Sequence, residues 1–363
     1  MSWNNRVKKR RCHISRPDPV NLILMGFGNV GRAFLQVADE KKELCLKRYG
    51  LNLRFIAIFE INGGLFSPAS LNTSEFLEKS ASQLGEHPCW RPGLKLKQVL
   101  EEVKPGVLVE CTPSNIKTGE PGLSHLRQAL SKGWNAAVAN KGPLVFDFKG
   151  LKQVAQKNRA SLKFSGATAA ALPTLDVGLF SLAGAQILGI EGILNGTSNY
   201  ILTRMEEGIS YEEALREAQA KGIAERDPSL DVEGWDTASK ILLIVNEVME
   251  KDFVLKDVKV EGITRIPSEF LHQARKEGKA LKLLGKLRKE GNELRIEVAL
   301  SFIDHSHPLF GVSGTNKGIA FFTDTMGAVT VTGGKSDPRG AAASLLKDII
   351  NIYRMNKEEP PNM

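Results

Sequence analysis

The segment Gly26-Phe27-Gly28-Asn29-Val30-Gly31 constrains this chain more than any other. Residues 20–25 (Val-Asn-Leu-Ile-Leu-Met) form a short apolar run directly before it. A continuous apolar run that stops at a glycine turn reads as a buried parallel strand. Residues 30–48 then show helical spacing with charged positions. In that order, the glycines let the backbone turn tightly and approach a pyrophosphate, and the helix N-terminal amides face the anion. Residues 53–59 read as a second strand with Glu60 at its end, where a carboxylate can accept from ribose hydroxyls. A glycine turn needed only for close packing would show the same pattern. The flanking strand, helix and acidic residue favour the nucleotide reading.

Alternation continues downstream. Residues 106–111 and 134–139 read as further core strands, with helices at 121–131 and 149–158. This predicts an α/β fold with a Rossmann-type doubly wound parallel sheet. Ligands in such sheets bind beyond the carboxyl ends of the strands, where the glycine turn, Thr112-Pro113-Ser114 and Asn140-Lys141-Gly142 fall. The second half reads as α+β. Ser210 and Glu213 form a capping box opening a helix that Gly222 ends, and a helix covers 232–249. Residues 279–303 alternate around Lys289-Glu290-Gly291-Asn292 as a hairpin, 319–332 hold another strand pair, and 339–355 form a last helix. The expected units are a basic tail at 1–19, a dinucleotide-binding domain at 20–147, a substrate and dimerisation region at 148–332, and a segment at 333–363 returning to the first domain.

Composition narrows the class. Residues 1–19 carry six basic residues against Asp18, a net of +5, which leaves only +3 of the total +8 for the rest. Such an arm can touch nucleic acid, but its composition cannot bury a core, and a solvated disordered tail is the favoured reading. No nucleic-acid partner is expected. No apolar run approaches the ~20 residues that span a bilayer. Cys12, Cys45, Cys89 and Cys111 form no C-x-x-C pair, which fits a reducing cytoplasm.

Two constellations bear on chemistry. Asp236 and Lys240 stand at i,i+4 on one helix face, next to the apolar run Ile241–Val245. An isolated pair of this kind is usually a surface ion pair worth ~0.3–0.5 kcal/mol. Here Glu225, Asp227 and Asp231 lie just upstream, and several carboxylates near one lysine make a pocket for a substrate ammonium. A lysine there can donate a proton or polarise a carbonyl. Asn195-Gly196-Thr197 ends a strand and opens a helix. Its amides can hold a carboxylate, or it is an ordinary turn with Thr197 as N-cap. His305 and His307 have no third ligand nearby in sequence, so no metal is assigned.

From about residue 20 onward the chain resembles homoserine dehydrogenase. The resemblance rests on 26–31, Ala-Asn-Lys-Gly-Pro-Leu at 139–144, and Gly-Ile-Leu-Asn-Gly-Thr-Ser-Asn-Tyr-Ile-Leu at 192–202. It extends over the acidic segment Glu225 to Lys240 and His-Pro-Leu-Phe-Gly-Val-Ser-Gly-Thr at 307–315. The chain is similar to the short form without a regulatory extension. The resemblance implies reversible reduction of L-aspartate 4-semialdehyde to L-homoserine with NAD(P)H, on the route to threonine and methionine, by a homodimer. It implies a catalytic group of Lys240, Lys141 and Asp236, in which Lys141 lies between cofactor and substrate and contacts both, and Asp236 also holds the substrate. It further implies Glu225, Asp231, Gly196 and Thr197 at the substrate and Thr112 beside the nicotinamide. Gly26, Phe27, Gly28, Asn29, Val30, Gly31 and Glu60 complete the expected cofactor site.

Two departures from the family stand out. Ser165 occupies a place where members often carry a glutamate that helps bind a monovalent cation, which argues against a cation requirement. The C-terminal Gly-x-Gly-Ala-Gly run, which flanks the family's cofactor pocket, is here Gly333-Gly334-Lys335-Ser336-Asp337. Glu60 would repel a 2′-phosphate and leans the cofactor toward NAD. The alternatives are another small-aldehyde or 2-oxoacid dehydrogenase, and a silent NAD(P)-binding sensor that would not need Glu225, Asp231, Asp236 and Lys240 together.

Overall fold

The computed structural model describes residues 18–357 apart from 267–269, 272, 273, 275, 292, 335 and 336. The basic tail expected at 1–19 lies outside the described residues up to residue 17. Asp18 and Pro19 already belong to the first strand.

A seven-stranded sheet is built from β1 (Asp18–Met25), β2 (Leu51–Glu60), β3 (Gly63–Phe66), β4 (Trp90–Pro92), β5 (Val107–Glu110), β6 (Asn135–Val138) and β7 (Leu162–Lys163). Its order is β4-β3-β2-β1-β5-β6-β7. The strands β2, β1, β5, β6 and β7 pair in parallel, and β3 and β4 add an antiparallel edge. That edge was not legible because Gly63-Gly64 and Arg91-Pro92 carry no alternation. The helices α1 (Asn29–Glu40), α2 (Lys42–Tyr49), α3 (Leu96–Glu102), α4 (Gly122–Ser131) and α5 (Lys141–Lys157) connect these strands. The single helix expected over 30–48 is therefore two, divided at Lys41.

α5 begins eight residues before the helix expected at 149–158. Asp147 has non-helical torsions and its carboxylate accepts from the Gly150 amide, so it caps the second stretch from inside. Pro143 is tolerated because first-turn amides lack intrahelical partners. The boundary expected at 147/148 falls inside this helix, and β7 lies beyond it.

The second sheet holds β8 (Ile187–Ile193), β9 (Val258–Val260), β10 (Ala280–Glu290), β11 (Glu293–Ile303), β12 (Gly318–Thr323) and β13 (Ala328–Thr332), in the order β13-β12-β8-β10-β11-β9. Its helices are α6 (Ser165–Ala169), α7 (Thr174–Asp176), α8 (Gly196–Glu206), α9 (Tyr211–Ala220), α10 (Ser229–Val232) and α11 (Trp235–Val248). α11 starts three residues later than expected, after Gly234 in a left-handed conformation (φ 88°).

α11 packs on α5 and on β10, which stations it at the junction of the two sheets. Ile241 to Val245 are buried in a core that runs without a break from Ile23 and Ala136 to Leu283 and Val298. The last helix, α12 (Pro338–Lys357), packs on α1, where Ala342, Leu345 and Ile349 share a core with Phe34 and Leu35.

Candidate functional site

The parallel sheet reverses direction of winding between β1 and β5. There the Cys111 amide donates to the Met25 carbonyl at 2.9 Å, which seats the Thr112 segment beside the glycine turn. A Cβ on Gly31 would sit 2.1 Å from the Gly26 carbonyl oxygen, so only glycine lets α1 leave the strand this closely. At Gly28 no atom lies within 4 Å of such a Cβ. No side chain caps the N-terminus of α1. An open cradle of uncapped amides is what a dinucleotide pyrophosphate requires. Glu60 Oε1 accepts from the Phe27 amide at 2.5 Å, which fixes this carboxylate to the turn.

A cleft of about 800 Å³ opens between the two sheets. Val30 reaches it from the glycine turn. Lys141, Gly196, Thr197, Glu225, Asp231, Asp236 and Lys240 all line it, so the substrate residues expected from sequence meet in one place. Gly26, Phe27, Gly28, Asn29, Gly31, Glu60 and Thr112 do not line it. Thr112 instead donates through its amide and hydroxyl to the fully buried Glu110, whose other oxygen is 2.9 Å from His125 Nδ1.

The centre of the cleft is the Asp236 carboxylate, 6% exposed. Asp236 sits in the first turn of α11, where a negative charge suits the helix dipole. Lys240, one turn on, brings Nζ to 2.6 Å of Oδ2. Lys141, at the start of α5, brings Nζ to 2.9 Å of Oδ1. Asn140 caps that helix by accepting from the Gly142 amide, and so fixes where Lys141 starts. Lys240 also donates to the Leu194 carbonyl at 2.9 Å. Asn195 Nδ2 donates to Asp236 Oδ2 at 2.8 Å and to Asp231 Oδ1 at 2.6 Å.

The charges follow from these contacts. Burial opposes ionisation of Asp236, but the ammonium groups of Lys240 and Lys141 and the Asn195 amide outweigh it. They hold the carboxyl far below the usual range. Burial also opposes the charge on Lys141, yet Asp236, Asp231 and Glu225 raise its affinity for the proton. Asp231 is pushed up by burial and by the Asp236 charge, against the Asn195 amide and both lysines.

Thr197 is not the N-cap of α8. Asn195 fills that role by accepting from the Ser198 amide at 2.8 Å, and the Thr197 hydroxyl donates to the Ile223 carbonyl. Asn195 thus caps α8 with its oxygen and joins two carboxylates with its nitrogen, a double role that no local pattern reveals. Lys317 is a second residue that sequence reading missed: it lines the cleft and is 2% exposed. His307 is drawn away to Glu191.

The donors around Ser165 do not suit a bound monovalent cation. Its hydroxyl donates to Asp348 and accepts from the Lys347 ammonium, each at 2.8 Å. Lys347 also pairs with Asp176. Nearby carbonyls are engaged as well, Ala169 by Lys317 and Ala170 by Ser344. Among the described residues, no group of three or more His, Cys, Asp or Glu could hold a metal ion.

Comparison with known proteins gives a consistent result. The family model for homoserine dehydrogenase matches residues 173–350. A homoserine dehydrogenase of Methanocaldococcus jannaschii is 37% identical over 93% of this chain and 100% of its own length. An NAD(+)-dependent homoserine dehydrogenase of Pseudomonas canavaninivorans is 31% identical over 92% of this chain and 96% of its own. The crystal structure of a putative homoserine dehydrogenase from Archaeoglobus fulgidus superposes with a TM-score of 0.81 at 32% identity, over 92% of this chain and 99% of that one. Because relatives at 31% and 37% identity cover more than nine-tenths of this chain and of their own length, the chain belongs to the homoserine dehydrogenase family.

Proposed function

We propose that this chain catalyses the reversible reduction of L-aspartate 4-semialdehyde to L-homoserine with NAD(P)H, a step in threonine and methionine biosynthesis. The observation that carries the reading is one carboxylate, Asp236, clamped by lysines from both halves of the molecule in a cleft that the glycine turn also reaches. When bound, the reduced nicotinamide supplies the hydride, which adds to the aldehyde carbon. Lys240 gives a proton to the oxygen as negative charge develops there. Lys141 adds a second positive charge beside that oxygen.

Asp236 has its oxygens taken by Lys141, Lys240 and Asn195, which supports a role in aiming the two lysines at the substrate oxygen. Glu225 and Asp231 then remain for the substrate ammonium. The free amides at the start of α8, at Gly196 and Thr197, suit its carboxylate. So much ionic structure around one lysine weighs against a silent nucleotide sensor.

NAD is the favoured cofactor. Glu60 places negative charge at the turn; of the nearby basic residues Arg54 is held away from it by the Pro68 and Ala69 carbonyls, and Arg32 is tied to Asn29 within the turn. A homodimer is supported by Leu188 and Phe302, which stay 47% and 39% exposed on the second sheet. No described helix is long and apolar enough to cross a membrane. Cys45, Cys89 and Cys111 are free thiols, which suits the cytoplasm.

The direct test is oxidation of L-homoserine followed at the nicotinamide absorbance with each cofactor. Turnover with homoserine well above that with other small alcohols and 2-hydroxy acids is expected. Equal or better turnover of a 2-hydroxy acid would reassign the enzyme.

A further inference from the structure

Lys317 is the third lysine of the cleft, and its partners differ from those of the other two. Lys141 and Lys240 share Asp236. The Lys317 ammonium donates to the Ala169 carbonyl, and no ion pair with a carboxylate is formed among the described residues. An ammonium has three donors, so two are left without a partner there. Burying a charge without a counter-charge is costly, and such a group tends to lose its proton or meet an anion. Burial, with the Lys240 charge next, pulls Lys317 down to about 7. That is the behaviour of a cation missing its partner.

Its place in the fold selects the anion. Gly318, the next residue, pairs with Ile193 at the end of β8. Lys317 is therefore seated beside Leu194 and Asn195, which hold Lys240, Asp231 and Asp236. The glycine turn reaches this cleft only through Val30, while Gly334 and Asp337 of the C-terminal segment line it as well and the Gly333 amide donates to the Lys317 carbonyl. The charge balance agrees. The carboxylates of Asp231, Asp236, Glu225 and Asp337 outnumber the ammonium groups of Lys141 and Lys240 in this cleft, so without Lys317 it suits an ammonium and offers the carboxylate of the same amino acid no unopposed positive charge.

We propose that Lys317 supplies the counter-charge for the α-carboxylate of the amino-acid substrate, and so makes the site select an amino-acid alcohol over a simple amino alcohol. The proposal rests on the homoserine reading above. The same positive charge could instead serve a phosphate of the cofactor, and the test separates the two.

Lys317→Met keeps the length of the side chain and removes the charge; Lys317→Gln is a second variant, and nucleotide binding by fluorescence quenching verifies folding of either. L-Homoserine is the substrate. 4-Hydroxybutanoate, which lacks the ammonium, and 3-aminopropan-1-ol, which lacks the carboxylate, are competing ligands. Loss of one buried charge-assisted contact should raise KM for L-homoserine about 10- to 100-fold with KM for the nucleotide unchanged. Inhibition by 4-hydroxybutanoate should weaken by a similar factor, and inhibition by 3-aminopropan-1-ol should stay as in wild type. Lys317→Arg should recover part of the loss. A variant whose KM for homoserine matches wild type overturns the proposal while the activity stands. A raised KM for the nucleotide alone assigns the charge to the cofactor and overturns it too. A wild-type enzyme that does not oxidise homoserine overturns the functional reading, and this proposal with it.

Discussion

Lys240 Nζ lies 2.6 Å from Asp236 Oδ2, across one turn of a helix that is buried from Ile241 to Asn246. Sequence spacing alone makes such a pair a surface decoration. Its burial, and the arrival of Lys141 on the other carboxylate oxygen, turn it into a device that holds two ammonium groups at fixed positions.

Lys240→Ala should lower kcat by ~10²–10⁴ with nucleotide binding retained, since it removes the proton donor and leaves the glycine turn untouched. Steady-state kinetics with a nucleotide titration check this. Near wild-type turnover in the variant removes Lys240 from the mechanism.

Asp236→Asn should cost stability as well as rate. Two lysines lose their shared counter-ion, and breaking a buried pair from one side is worth about 3–5 kcal/mol. Thermal unfolding should show a clear drop in Tm, while Lys240→Ala, which leaves Asp236 paired with Lys141, should lose less. The reverse order of the two Tm values would mean that Asp236 is not the keystone of the cluster.

Glu60 accepts from the Phe27 amide and so carries its charge at the mouth of the nucleotide cradle. A 2′-phosphate there meets like charge, and wild type should prefer NAD modestly. Glu60→Ser should move the ratio of kcat/KM for the two cofactors toward NADP. An unchanged ratio would separate Glu60 from the ribose.

Activity should not depend on sodium or potassium. The Lys347 ammonium already sits on the Ser165 hydroxyl, and the carbonyls of Ala169 and Ala170 already accept from protein donors. Rates in chloride salts of sodium, potassium and a tetraalkylammonium ion should agree at equal ionic strength. A saturable rise with one alkali cation contradicts this.

Lys317 gives a pH dependence of opposite sense to that of an ordinary ion-paired lysine. Its ammonium loses its proton near 7 in the folded chain, against an ordinary value of 10.5. Between those two values the unfolded chain binds the proton and the folded chain does not, so stability rises with pH across that window. Below it both states are charged and the full cost of burial is present. Asp236, Asp337 and Lys240 are the charges that it feels. The Tm of Lys317→Met should therefore exceed that of wild type most at about pH 6, and the gap should shrink toward about pH 10. A gap independent of pH means that the buried lysine is not charged at low pH.

Much of this molecule is written locally. An apolar run and three glycines specify a nucleotide cradle, because each feature acts on the residues beside it: the turn at Gly26 and the close exit of α1 at Gly31. Glu60 is legible as an acidic strand end, but it meets Phe27 only because β2 pairs with β1. The i,i+4 spacing of Asp236 and Lys240 likewise fixes a shared helix face with no help from the rest of the chain. Other features have no local signature. Lys141 and Asp236 belong to different halves, and their contact exists because α11 packs on α5. Asn195 reads as a turn residue until the fold brings Asp231 and Asp236 to its amide. Lys317 precedes a strand, as surface lysines commonly do, and only the pairing of β12 with β8 carries it into the cleft. Periodicity and turn chemistry report what a residue does to its neighbours in sequence. Which charges face each other, and which are deprived of water, is decided by how the two sheets close on one another.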